Sequence, residues 1–294
     1  MPGVEFEVSP VRDVEDYWRI MDVMREAWDM PDYTEAVPPH FMRAIADNGG
    51  LVLAAYTPEG EIVGFVLGIL AREGGKLYHY SHMLGVRRAY RGTGVALALK
   101  RAQREWVISQ GLDLVVWTYD PHQGLNARFN FAKLGVVCRR FYPNYYGTMR
   151  DGINRGMVSD RFKAEWWVTS ERVRRRLEGE SRPPTLAEVS RGAVPVVRTE
   201  VVGGVRRVVG TDLDEDSDLL LVEVPGDINA LKRVSVDLAN EWKLKLREVF
   251  STYFGRGYAA IEFITSLAGG ERRNFYLFYR GPIREVLDGG EPWR

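Results

Sequence analysis

Apolar side chains recur along the N-terminal part of the chain with the periods of strands and helices. Residues 4–8 alternate as a short strand, and a first helix follows with one apolar face made of Tyr17, Ile20, Met21, Met24 and Trp28. A second, shorter helix is predicted between Pro38 and Gly50. Three strands are then predicted over residues 51–56, 62–70 and 77–86. The pattern therefore predicts a strand, two helices and three strands, in that order.

A glycine-rich turn follows the last of these strands and leads into a helix. Residues 86–100 read Val-Arg-Arg-Ala-Tyr-Arg-Gly-Thr-Gly-Val-Ala-Leu-Ala-Leu-Lys. Gly92 and Gly94 let the backbone bend sharply and approach a ligand closely. The free N–H groups of such a turn, together with the positive end of the helix dipole, favour a phosphate or pyrophosphate. Positive charge around the turn is expected from Arg87, Arg88, Arg91, Lys100 and Arg101.

This turn resembles the acyl-CoA-binding motif of the GNAT acetyltransferase superfamily. That motif begins with Arg or Gln, continues with any two residues and a Gly, and ends with any one residue followed by Gly or Ala. Arg91, Gly94 and Ala96 fill its defined positions. The order of predicted elements before the turn is also similar to that of the GNAT fold. The resemblance therefore implies a site for the pyrophosphate of acyl-CoA at this turn.

A second GNAT signature is similar to the segment after the next predicted strand, residues 112–117. In the family this signature is a helix that carries Asn and ends in Tyr-x-Lys-x-Gly-Phe. Lys133 and Gly135 match it, whereas Phe131 and Val136 stand where the family has Tyr and Phe. The departure at Phe131 removes the hydroxyl group that often protonates the leaving thiolate in this family.

The resemblance implies an α/β fold with a mixed α+β sheet and acetyl-CoA or another acyl-CoA as co-substrate. In the family the backbone of the fourth strand pairs with the pantetheine arm, and Leu84-Gly85-Val86 is similar to the end of that strand. Asn126 and Asn130 are implied to bond the pantetheine amides, and helix capping or loop packing is the alternative. The implied acyl-CoA contacts are Leu84, Val86, Arg91, Gly92, Thr93, Gly94, Val95, Ala96, Asn126 and Asn130.

His82 is the predicted general base. The amine substrate arrives protonated, and a histidine near its ordinary pKa can remove that proton at neutral pH. His82 is expected to share a strand face with Tyr80, Leu84 and Val86. Histidines four and six residues before the equivalent of Val86 serve in proton removal in the arylalkylamine branch of the family, and here only the four-before position is a histidine. The alternative is a structural histidine on a half-buried strand.

Two other histidines and two tyrosines are further candidates. His79 is expected on the opposite strand face, and His122 is expected to face the substrate opening. Because Phe131 has no hydroxyl, Tyr142 or Tyr146 is the candidate acid. The alternatives are that no acid is used and that these tyrosines serve packing.

The C-terminal part predicts a second, smaller α+β domain. A linker at Ser181-Arg182-Pro183-Pro184 separates residues 1–180, the GNAT-like catalytic domain, from residues 190–294. This second part predicts a hairpin about Gly203-Gly204, a further strand, a long helix from Asp227 to Tyr253 and two final strands. It carries no recognisable catalytic motif. Its expected role is to cover, extend or oligomerise the catalytic half.

Composition narrows the class of partner. The chain has 294 residues with 40 basic and 40 acidic side chains, so it lacks the basic excess typical of proteins that bind nucleic acid or anionic membranes. Its single cysteine, Cys138, excludes an internal disulfide and a cysteine-based metal site. An acidic run, Asp212-x-Asp214-x-Asp216, lacks the turn glycine of a calcium loop, so no metal is expected. The first residues show no targeting segment, which predicts a cytoplasmic protein.

The sequence therefore predicts an N-acyltransferase that uses acyl-CoA. A small molecule or amino acid with a primary amine is the expected acceptor, and acetyl and succinyl groups both fit the motif. Transfer by direct attack in a ternary complex is expected. Two alternatives remain open: a CoA-binding module without catalysis, and a peptide or protein N-acetyltransferase. A homodimer is one option for the assembly.

Overall fold

The computed structural model describes residues 4–294, except for the side chain of Ala268. Met1–Gly3, the first residues of the predicted domain 1–180, lie outside this range. The chain divides into two compact units. Unit 1 contains the residues up to Trp117 together with Arg150–Arg155, and unit 2 contains Thr118–Met149 and Gly156–Arg294. The predicted division at residues 180–190 is not one of these boundaries and stays a prediction.

Unit 1 is built on a mixed sheet. Strands β1 to β4 pair antiparallel in chain order, and β5 joins β4 in parallel, so the order is β1-β2-β3-β4-β5. This confirms the mixed α/β fold predicted from the sequence. The last two residues of β5, Thr118 and Tyr119, fall in unit 2. The elements are β1 (Glu7–Pro10), α1 (Asp16–Trp28), α2 (Pro39–Asp47), β2 (Leu51–Tyr56), β3 (Ile62–Glu73), β4 (Lys76–Val86), α3 (Val95–Ser109) and β5 (Leu114–Tyr119).

Helices cover both faces of this sheet. One face packs against α1 and α2 through Ile20, Met24 and Phe65, all fully buried. The other face packs against α3 through Val63 and Leu99. Burial of each such side chain contributes about 1.5–3 kcal/mol, so two apolar layers hold β3 and β4 in place. The end of β4 and the start of α3 are therefore fixed by packing on both sides.

Unit 2 contains the remaining strands and helices. The strand order in its sheet is β7-β6-β12-β13-β11-β8, and β9 pairs with β10 in a separate hairpin. The elements are α4 (Gly124–Arg128), which continues as a π-helical turn (Phe129–Leu134), β6 (Val137–Tyr142), β7 (Arg161–Trp167), α5 (Glu171–Glu178), α6 (Leu186–Val189), β8 (Val194–Pro195), β9 (Val197–Val202), β10 (Val205–Thr211), β11 (Leu219–Val224), α7 (Ile228–Val234), α8 (Val236–Gly255), β12 (Ala259–Ala268), β13 (Glu271–Tyr279) and α9 (Ile283–Leu287).

An aromatic cluster forms part of the core of unit 2. The ring centroid of Phe162 lies 4.7 Å from that of Phe250 on α8 and 5.2 Å from that of Tyr276 on β13. The Phe162–Phe250 pair is edge-to-face, and such pairs add about 0.5–1.5 kcal/mol beyond the area they bury. None of the helices within residues 4–294 has the length and apolar content needed to cross a bilayer.

Two features of unit 2 differ from the sequence prediction. The long helix expected from Asp227 is broken at Ser235, whose backbone is extended and whose hydroxyl accepts a hydrogen bond from the Leu238 N–H to begin α8. Strands β6 and β7 were not predicted, and in β6 the reason is that Arg139 interrupts the apolar pattern. Arg139 lies at a β-bulge and pairs with Glu165 on β7, with its Nη2 2.7 Å from a carboxylate oxygen.

Candidate active site

A β-bulge in β4 places His82 outside the regular ladder. Ser81 pairs with Gly68 and Met83 pairs with Leu67, so His82 is the extra residue on β4. Leu84 packs on the α3 face of the sheet, as Ser81 does through Gln103 on α3. The expectation that His82 shares a face with Leu84 and Val86 is therefore wrong, because the bulge shifts the alternation by one residue.

The His82 side chain is exposed to solvent yet close to enough protein to change its titration. Its ring lies 6.2 Å from the ring of Tyr80, which shares its side of the strand. Desolvation lowers the pKa of His82 below its ordinary value of 6.5. The imidazole is therefore mainly neutral at pH 7, the form that accepts a proton.

The two parallel strands of unit 1 separate beside this bulge. β4 pairs with β5 at His79 with Val115 and at Tyr80 with Val116, and the described register contains no later pair. β4 itself continues to Val86. The side chains of Leu84 and Val86 pack towards α3, so the edge of β4 beyond Tyr80 presents backbone groups. Such an edge can pair with an extended ligand.

The glycine turn at the end of β4 is open. Gly92 has φ +78° and Gly94 has φ +100°, and a Cβ built on either residue would meet no atom within 4 Å. The Thr93 hydroxyl donates to the Tyr90 carbonyl at 2.7 Å and so closes the turn. Helix α3 begins at Val95 without a side-chain cap, which leaves its first N–H groups for a ligand. Val95 is buried and Ala96 is half-buried, so both hold the helix end to the sheet.

The basic residues near the turn are partly neutralised. Arg87 pairs with Glu26 at 2.6 Å, and Arg88 pairs with Asp29 at 2.7 Å. Arg91 donates to the Ala27 carbonyl at 2.9 Å and is exposed. These contacts tie the turn to the C-terminal end of α1. Lys100 does not surround the turn as expected, because its side chain is buried under the sheet.

The candidate tyrosines belong to unit 2. The Tyr146 hydroxyl lies 2.9 Å from the Thr118 hydroxyl, and the Arg161 guanidinium lies 5.3 Å from the centre of its ring. The ring of Tyr142 lies 5.1 Å from that of Tyr145. Tyr146 is exposed and Tyr142 is half-buried, so the two hydroxyl groups stand in different surroundings. Their role as acid stays a prediction.

The segment of the second signature has one exposed and one buried asparagine. Asn126 is exposed on α4, whereas Asn130 is 2% exposed and its Nδ2 has no hydrogen-bond partner among the described residues. A buried amide without a partner is costly, which fits a group that a ligand or water satisfies. Phe131 is fully buried with its ring 5.6 Å from Tyr276, so it serves as core.

His122 does not face an opening, contrary to expectation. It is fully buried, and its Nδ1 lies 2.8 Å from Asp120 Oδ1. Asp120 in turn accepts a hydrogen bond from buried Lys243 at 2.6 Å. Burial lowers the pKa of His122 in spite of the carboxylate. This Asp-His-Lys cluster was not predicted from the sequence, because Lys243 lies far along the chain.

His79 also belongs to a buried polar cluster that the sequence analysis missed. His79 Nε2 lies 3.0 Å from Gln103 Nε2, and burial lowers the pKa of His79 to about 3. Gln103 Oε1 accepts from Lys100 at 2.9 Å. The signal was present in the helix pattern, because Gln103 occupies a position of the apolar stripe that includes Val95 and Leu99.

Comparison with protein families agrees with this geometry. Residues 17–136 match the model of the Acetyltransferase (GNAT) family. Residues 17–136 therefore carry a GNAT acetyltransferase domain. This confirms the resemblance that the glycine turn indicated, and at the level of this domain it confirms the expected class, an N-acyltransferase. A search of curated proteins found no match.

Several solved structures are similar to this chain over nearly their own full length. A putative acetyltransferase from Acinetobacter baylyi has 15% identity and a TM-score of 0.47, and covers 56% of this chain and 93% of its own. The NatC complex bound to Gag peptide and CoA has 17% identity and a TM-score of 0.46, with 56% and 99% covered. The ribosomal-protein-S18-alanine N-acetyltransferase from Escherichia coli has 13% identity and a TM-score of 0.44, with 56% and 94% covered.

Proposed function

We propose that this protein is an acyl-CoA-dependent N-acyltransferase that moves an acetyl or succinyl group to the primary amine of a small molecule or amino acid. The observation that carries the proposal is the open glycine turn at the end of β4, beside a stretch of that strand which β5 leaves unpaired. Together they offer one site for a pyrophosphate and one for an extended amide chain.

The residues around this turn suit a CoA molecule as substrate. Gly92, Thr93 and Gly94 present backbone N–H groups where no side chain intrudes. The edge of β4 at Leu84 and Val86 offers backbone donors and acceptors for the pantetheine amides.

His82 is assigned the role of general base. Its imidazole is exposed and its pKa lies below 6.5, so it can accept a proton from an alkylammonium substrate at neutral pH. The bulge at His82 also turns backbone groups away from the β3 ladder. A free N–H there would stabilise the negative oxygen that develops when the amine attacks the thioester carbonyl carbon.

A small amine is the preferred acceptor because the chain has no net charge. With 40 basic and 40 acidic residues, the protein has no overall field that would attract a nucleic acid or a strongly basic tail. Acetyl and succinyl donors differ only at the acyl end, which the turn does not contact. The donor and the acceptor are therefore separate questions for experiment.

Thiol release tests the proposal. Purified protein is incubated with acetyl-CoA or succinyl-CoA and a panel of primary amines, amino acids and peptides with free N-termini. Release of CoA that depends on a small amine supports the proposal. Release that depends on peptides alone favours a peptide N-acyltransferase. Binding of CoA without release for any acceptor favours a binding module, and absence of CoA binding overturns the site itself.

A further inference from the structure

Lys100 is a buried cation at the point where β4 and β5 separate. It is 4% exposed, and its Nζ lies 3.1 Å from Ser81 Oγ and 2.9 Å from Gln103 Oε1. The same nitrogen lies 3.8 Å from the ring centre of Trp117. A lysine this deeply buried is rare, because removing an ammonium group from water is costly.

Two of the contacts of Lys100 are with the first residue of each strand after the last parallel pair. That pair is Tyr80 with Val116, so Ser81 is the next residue on β4 and Trp117 is the next on β5. Lys100 reaches both from α3. Its ammonium group therefore closes the narrow end of the gap between the strands, with the bulge at His82 adjacent.

The other end of this gap is the glycine turn. At about 3.3 Å per residue, the stretch of β4 from Ser81 to Val86 spans roughly 17 Å. The pantetheine arm is an extended chain of comparable length. A CoA molecule with its pyrophosphate at Gly92–Gly94 and its arm along β4 thus brings its sulfur to the end where Ser81 and Lys100 lie.

Resting on the proposed function, we propose that Lys100, acting through the Ser81 hydroxyl, supplies the proton that the departing thiolate takes up. The amine nitrogen bonds to the carbonyl carbon, its proton passes to the base, and the C–S bond breaks with its electron pair on sulfur. The Ser81 hydroxyl, which donates to Gln103 Oε1 in this structure, turns to the sulfur, gives its proton to it and takes one from Lys100 Nζ. Lys100 then regains a proton from solvent, so the cycle closes without another reactant.

The titration of Lys100 suits this role. Burial lowers its pKa to about 7, so it can lose a proton near neutral pH. His79 lies close enough for the charge of Lys100 to act on it, and its own pKa of about 3 keeps it neutral in the working range. Lys100 is a positioning residue in this scheme, since Ser81 stands between it and the sulfur. Lys100 and Ser81 together would protonate the leaving thiolate, the step that Phe131 cannot perform because it has no hydroxyl.

The inference is tested by replacing Lys100 with Met and measuring turnover with two acyl donors, acetyl-CoA and its selenoester analogue. With acetyl-CoA, Lys100→Met is expected to lower kcat by about 100-fold with CoA affinity unchanged in calorimetry. With the selenoester analogue of acetyl-CoA the loss should largely disappear, because a selenolate leaves without a proton. The alkaline limb of the kcat profile near pH 7 should also vanish. The control is Lys76→Met, the same change at the exposed end of β4.

The outcomes separate this inference from the proposed function. If wild-type protein binds no acyl-CoA or releases no thiol, the proposed function fails. If wild type is active, an unchanged kcat in Lys100→Met overturns the inference, as does an equal loss with both donors. Should Lys100→Met fail to fold, Ser81→Ala and Lys100→Arg provide the same comparison. Loss of the alkaline limb in Tyr142→Phe or Tyr146→Phe instead would assign the proton to a tyrosine.

Discussion

At the scale of single residues, His82 and His79 differ in the two properties that a general base needs, access and titration. Both lie on β4, but the bulge leaves His82 exposed, whereas His79 is fully buried against α3. Burial lowers the pKa of His79 to about 3, which excludes it as a base that cycles at neutral pH. The pKa of His82 is lowered from 6.5 by desolvation while its ring stays accessible. Only His82 therefore combines access with a useful titration.

The base is tested by His82→Ala. We expect kcat to fall by about 10²–10⁴-fold and CoA affinity to stay unchanged. In wild type the rate should fall as the pH drops below the pKa of His82, because protonation removes the base, and the variant should lose this acidic limb. His40→Ala, at an exposed histidine of α2, is the matched control. A variant that keeps the wild-type rate and pH profile would remove His82 from the mechanism.

Lys100 gives a second residue-scale prediction, on stability. Its pKa of about 7 in the folded state lies below its ordinary value of 10.5. Between these values the unfolded chain binds more protons, so this group makes stability rise with pH across that window. Lys100→Met removes the buried ammonium group, so its unfolding free energy should exceed that of wild type at neutral pH. This difference in unfolding free energy should shrink between about pH 7 and pH 10. Urea unfolding at several pH values measures it, and a difference independent of pH contradicts it.

Residue identity could be predicted from the sequence, but side-chain direction often could not. His82 was found from its distance to the glycine turn, whereas its face was predicted wrongly because a bulge has no clear sequence signal. His122 was predicted at an opening, yet it is buried beside Asp120, and Asp120 in turn pairs with Lys243, which is distant in sequence. Local pattern identifies the candidates, and long-range packing decides their surroundings.

At the scale of elements, the close fit between β3 and β4 maintains the bulge. Gly68 of β3 pairs with Ser81 directly before His82. A Cβ at Gly68 would lie 2.3 Å from His79 Nε2 and 2.6 Å from the Tyr80 carbonyl oxygen. Those distances are too short for any side chain, so the strands approach only because residue 68 is a glycine.

The element-scale prediction is that Gly68→Ala separates these strands. We expect a loss of about 1–3 kcal/mol in unfolding free energy, as for overpacking, and a lower acyl-transfer rate because the bulge shifts. Gly192→Ala is the control, since a Cβ there meets no atom within 4 Å. Thermal and urea unfolding measure the stability. Equal stability of the two variants would show that β3 and β4 tolerate the added methyl group.

Most elements of unit 1 could be predicted, and fewer of unit 2. Regular periodicity and glycine stops predicted α1, the β2–β3 hairpin and the turn before α3. Strand β6 was missed because Arg139 breaks the apolar pattern, and the break between α7 and α8 was missed because Ser235 sits inside a continuous apolar stripe. In both cases a bulge or a cap, rather than periodicity, decides the structure.

At the scale of the whole molecule, the two signatures of the family fall in different compact units. The glycine turn and His82 belong to unit 1, whereas Asn126, Asn130 and the tyrosines belong to unit 2. The family match at residues 17–136 includes residues of both. The catalytic domain at residues 1–180 was predicted from motifs. Motifs show the order of elements along the chain, but they do not show which elements pack together.

The central claim is that the glycine turn binds the pyrophosphate of CoA, and calorimetric titration with acetyl-CoA tests it most directly. Gly94→Glu places bulk and negative charge at the open end of α3, so binding should be abolished. Gly111→Glu makes the same change at another open glycine with positive φ, just beyond the other end of α3, and should bind like wild type. If a folded Gly94→Glu variant binds acetyl-CoA with wild-type affinity, the turn is structural and the account is wrong.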